Sequence, residues 1–164
     1  MKKRFTSAFS LVELTLALGI AAFCLIAVFG LVPVAVLTNR NATSQTRATN
    51  ILTAIVADLR ATTKTAGTWT GTSSEFCISL GTSKTLYFDT EGRCSSDLAG
   101  STSPCPGGPA WVPALQTRYQ LNVTWYDSGS TGLRYADVKV TWPAAATVAN
   151  ASGSTEMFTA FDRN

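Results

Sequence analysis

Apolar residues run almost unbroken from Phe9 to Leu37, and the pattern then changes period twice. No residue between Leu14 and Asn39 is charged. That stretch of about 26 residues makes roughly 39 Å of helix, enough to cross a hydrocarbon core of about 30 Å. Gly19 and Gly30 allow close helix approach, and Pro33 is expected to kink or loosen the helix. From Arg40 charged residues return, while Ile51, Leu52, Ile55, Val56 and Leu59 keep an apolar stripe at helical spacing. This predicts an amphipathic helix over 40–66, with Gly67 as its stop signal.

From Thr68 the period falls to two. Strands are predicted over Glu75–Leu80, Thr85–Asp89, Arg118–Tyr126, Leu133–Trp142 and Glu156–Phe161. In the fourth, Tyr135, Asp137, Lys139 and Thr141 share one face, and Ala136, Val138, Val140 and Trp142 share the other. Turns are expected over 81–84 and 127–132, and a long Ser/Gly/Pro loop over 93–113. The predicted fold class is α+β: one long N-terminal helix packed on an antiparallel sheet of four or five strands. The chain divides into a leader over 1–8, an apolar helix over 9–39, an amphipathic helix over 40–66 and a β-rich domain over 67–164.

Charge changes the picture little. The formal net charge is +3, but Lys2, Lys3 and Arg4 all lie in the leader, and without them the side chains balance. The basicity therefore fits the positive-inside rule rather than a nucleic-acid face, and no specific nucleic acid is expected as a partner. The apolar run is too long for a secretory h-region and flows into the amphipathic helix, so it reads as retained.

Four cysteines are present. Cys24 lies in the apolar helix and reads as a packed residue. In an exported domain a disulfide is reasonable. It is expected between Cys94 and Cys105, which flank the Ser/Gly/Pro loop, with Cys77 a buried thiol in its strand. Three cysteines allow three pairings, and sequence does not choose among them.

The chain has no histidine. A Ser-His-Asp or Cys-His arrangement is therefore impossible. Lys64, Lys84 and Lys139 lie in no recognisable Ser-Lys motif. Asp89 and Glu91 sit at a turn after a strand, where solvated charge is the default. Too few oxygen ligands cluster there for a cation. The chain is expected not to be an enzyme, with no metal and no cofactor.

The anomaly is Glu13, a carboxylate at the mouth of the apolar stretch, where charge is costly and needs a partner. No basic residue lies nearby in the span, which points to a partner on another molecule. The segment Ala8, Phe9, Ser10-Leu11, Val12, Glu13, after Lys2-Lys3-Arg4, resembles the N-terminus of a type IV pilin or type II secretion pseudopilin. The resemblance implies cleavage between Ala8 and Phe9 by a prepilin peptidase and N-methylation of the Phe9 amine. Ala8 stands where that family usually has glycine, and processing is still expected. The implied function is a structural subunit, a minor pilin or pseudopilin. It would be held in the inner membrane with its C-terminal domain exported, then packed with other subunits into a cell-surface or periplasmic filament. Glu13 would form an assembly salt bridge with a neighbour's Phe9 amine. The alternative is a membrane-anchored extracytoplasmic binding module that never polymerises, which needs neither Glu13 nor a peptidase site at Ala8.

Overall fold

The computed structural model describes residues 10–62, 71–106, 113–127 and 134–161. The fold is α+β, as the periodicity implies: one long N-terminal helix and a five-stranded antiparallel sheet. Helix α1 spans Leu11–Ala61. The chain separates into two compact units, Met1–Ala42 and Thr43–Asn164, with the boundary inside that helix.

In the first unit the helical assignment continues through Pro33. The Thr15 and Thr38 hydroxyls donate to the Val12 and Val34 carbonyls at 3.0 and 2.9 Å, which satisfies them within the helix. In the second unit the expected stripe is the buried one. Ala48, Ile51, Leu52, Ile55, Val56 and Leu59 join one core with the inner face of the sheet. Helix α1 ends at Ala61, and residues 63–66 of the expected helix, with the expected stop at Gly67, lie outside the described residues. Thr62 turns its hydroxyl onto the Asp58 carbonyl at 2.9 Å.

The strands are β1 (Lys84–Phe88), β2 (Cys94–Ser95), β3 (Tyr119–Asp127), β4 (Arg134–Trp142) and β5 (Gly153–Phe161), in the order β2-β1-β3-β4-β5. Leu86, Phe88, Tyr119, Leu121, Val123, Ala136, Val138 and Val140 fill the inner face. Trp142 lies opposite Gly153 in register. A Cβ there would come within 2.3 Å of the Trp142 ring, so only glycine lets the indole cross β5.

The predicted strand Glu75–Leu80 is a correction. Residues 74–76 form a turn, and a single bridge joins Thr72 to Ser79. The donors a strand would offer its neighbour are taken by side chains. Phe76 N–H donates to Asp58 Oδ2 at 3.2 Å, and Ile78 N–H donates to Ser73 Oγ at 3.0 Å. Cys77 between them takes φ +49°, a left-handed conformation that no regular strand contains.

On the outer face, register sets Thr124, Asp137 and Phe158 in one row and Asn122, Lys139 and Glu156 in the next. Lys139 Nζ lies 2.9 Å from Glu156 Oε2. Asp137 Oδ1 is shielded from solvent and accepts no hydrogen bond. Burial, then the Glu156 charge, push the Asp137 carboxyl above its ordinary range, against the pull of Lys139. A raised carboxyl pKa in the fold means stability present below the unfolded pKa and lost as pH rises through the folded one. Asp137→Asn is therefore expected to melt at or above the parent's temperature near neutral pH. The gap should close as pH falls below the ordinary carboxylate range, as thermal unfolding across pH would show.

Candidate functional site

Glu13 lies in the first turn of α1. Leu14 N–H donates to the Ser10 carbonyl at 3.2 Å and closes that turn. The unpaired N–H groups at this end of a helix favour a carboxylate. Glu13 is exposed, and no described residue pairs with it. Ala8 and Phe9, the expected cleavage and methylation positions, lie outside the described residues.

From Leu14 to Leu37 the helix is apolar on every side. Leu11, Phe23, Ile26 and Leu37 are 77, 74, 72 and 60% exposed. A helix of this kind needs an apolar surround, either lipid or other protein. By length and composition it can cross a membrane.

The disulfide joins Cys77 to Cys105, not Cys94 to Cys105 as expected. Their Cα atoms are 5.2 Å apart, within bridging range. Cys94 takes part in no disulfide and is buried in β2 opposite Phe88. Burial pushes that thiol up to about 12, against the nearby Lys84 charge. Loop composition favoured Cys94, but its side chain belongs to the core behind β2.

Lys84 completes the clasp. Its ammonium donates to the Cys77 carbonyl at 2.6 Å, to Pro104 at 3.2 Å and to Phe76 at 3.5 Å. The bonds hold both chain segments that the disulfide joins. Desolvation lowers the Lys84 pKa, against the pull of Cys94. Asp58 anchors the same turn to the helix, accepting from Glu75 N–H at 3.3 Å, Phe76 N–H at 3.2 Å and Ser74 Oγ at 3.4 Å. Sequence reading passed over Asp58. The available signal was its spacing, three residues after Ile55 and seven after Ile51, which puts a carboxylate on the buried face.

Asp89 and Glu91 are brought together, but as parts of a turn. Asp89 is 1% exposed. Its carboxylate accepts from Glu91 N–H at 2.9 Å, Arg93 N–H at 2.8 Å and Arg93 Nε at 2.7 Å. Arg93 also donates to Glu91 at 3.2 Å. The Thr90 hydroxyl, and after it Asp89 and Arg93, hold the Glu91 carboxyl below its ordinary range. Asp89 spends three of its roughly four acceptor sites within the turn. Among the described residues no group of three His, Cys, Asp or Glu side chains could hold a metal ion.

No protein-family model, curated protein or solved structure matches this chain.

Proposed function

We propose that this chain is a structural subunit of a type IV pilus-like or type II secretion-like filament, a minor pilin or pseudopilin. The observation that carries the reading is Glu13: a carboxylate with no partner among the described residues, in the first turn of a helix that is apolar and exposed on every side as far as Leu37. A carboxylate in that setting calls for a cation from outside the chain. The resemblance of the segment around Ala8, Phe9 and Glu13 to prepilin processing sites supplies one, the amine that cleavage would leave on Phe9.

In this reading the inner membrane holds the subunit until assembly. The prepilin peptidase removes residues 1–8. The apolar helices then exchange lipid for one another, and the sheets lie outside the helical core. Burial of Glu13 beside a neighbour's Phe9 amine strengthens their attraction far beyond its value in water and fixes the register between subunits.

The test is the intact mass of the chain recovered from membranes that contain the peptidase. The expected chain begins at Phe9 and carries one added methyl group. An N-terminus at Met1, or cleavage beyond Leu37, contradicts the reading.

A further inference from the structure

A cavity of about 240 Å³ opens between the helix and the turn after β1. Arg47, Asn50, Ile51 and Ala54 line it from one face of α1. Phe76 and Phe88, whose ring centroids are 5.7 Å apart, form its floor with Ile51. All three floor residues are buried. Glu75 and the turn 89–92 complete the wall.

The polar side chains of the rim, Arg47, Asn50 and Glu75, are exposed to solvent. No described partner hydrogen-bonds or pairs with the side chains of Arg47, Asn50 or Glu75. Arg47 and Glu75 carry opposite charges around the same cavity and do not close on each other. Glu75 is fixed in place nonetheless. Its N–H is held by Asp58, and its carbonyl lies 3.7 Å from Cys105 Sγ. Asp89 and Glu91 differ, since the turn and Arg93 already occupy their oxygens.

A small apolar cavity with a cation and an amide on one wall and an anion on another matches a zwitterion with an apolar body. A carboxylate suits the guanidinium and amide, and an ammonium suits the carboxylate. Size agrees, since a cavity of about 150 Å³ holds benzene. The additional volume takes the two charged groups.

We propose that this cavity binds a free α-amino acid with an apolar side chain, its carboxylate on Arg47 and Asn50, its ammonium on Glu75 and its side chain over Ile51, Phe76 and Phe88. Occupancy needs no second subunit and is independent of filament formation.

Equilibrium dialysis of the full chain in detergent micelles against labelled L-leucine and L-phenylalanine tests this. Saturable binding of at least one is expected. N-acetyl-L-leucine lacks the ammonium and L-leucinamide lacks the carboxylate, so each should compete at least about tenfold more weakly than leucine. Arg47→Ala and Glu75→Gln should each weaken binding at least about tenfold, which is about 1.4 kcal/mol. Ala54→Trp places an indole in the cavity from an exposed helical position and should abolish binding. Absence of saturable binding to the parent overturns the proposal. So does equal competition by either blocked analogue, which would indicate a peptide segment, or unchanged binding by Ala54→Trp. These measurements use unassembled chains, so their failure leaves the filament reading standing.

Discussion

Glu13→Gln and Glu13→Ala chains should be inserted and cleaved like the parent, yet enter filaments about a hundredfold less. Both substitutions leave Ala8 and Phe9 untouched, so the peptidase still meets its site. In the filament reading they remove the countercharge for the Phe9 amine once the helices are packed in an apolar core. Breaking one side of a buried pair leaves the other charge uncompensated and costs about 3 kcal/mol or more, which is about a hundredfold in an assembly equilibrium. Glu13→Gln preserves shape and hydrogen-bonding groups, so a defect shared by both variants reports the charge. Glu13 is also four residues from Phe9 in its own chain, a spacing that would let the pair close internally if the segment were helical. A chain that is processed and packed as well as the parent in both variants would remove any pairing role. Quantifying the chain in membrane and filament fractions distinguishes these outcomes.

Loss of the Cys77–Cys105 bond should strongly destabilise the unit that carries the sheet. The bond spans a sequence separation of 28 residues. On the chain-entropy estimate, closing a loop of that size contributes about 3–4 kcal/mol. The bond also holds Cys77 in its left-handed conformation and keeps Pro104 within reach of the Lys84 ammonium. Cys105→Ser is therefore expected to lower stability by about 3 kcal/mol or more in denaturant unfolding. Cys94→Ala removes only a buried thiol and should cost about 1 kcal/mol. Non-reducing peptide mapping should find Cys77 with Cys105 and Cys94 in no disulfide. A Cys94–Cys105 peptide, or a larger loss from Cys94→Ala than from Cys105→Ser, would contradict this.

The parts legible in sequence were those where burial enforces a period. The stripe Ile51 to Leu59 and the alternation Ala136 to Trp142 are each one face of an element against one core, and both stand where expected. The strands β1, β3 and β4 agree within a residue or two, and β5 begins at Gly153 rather than Glu156. The segment around Cys77 was misread because its apolar residues are buried by a turn. Asp58, Ser73 and the disulfide hold that turn through side chains far apart in sequence, and no local period records such bonds. The cysteine pairing failed for the same reason: loop composition says nothing of which side of β2 faces the core. At the proposed assembly site the residue types were readable, because one charge against an apolar helix stands out without any tertiary contact. The cavity around Arg47 and Glu75 was not legible, since it exists only where the helix, the turn and β1 converge.

The most direct test of the filament reading is where the chain goes when cells carrying the assembly machinery are sheared without detergent. A subunit must leave the bilayer with its helix, whereas a plain anchor is released only by detergent. The account predicts the chain in the sheared filament fraction, starting at a methylated Phe9, and its loss from that fraction with Glu13→Ala. A chain found only in detergent extracts of the membrane, with residues 1–8 still attached, would contradict it.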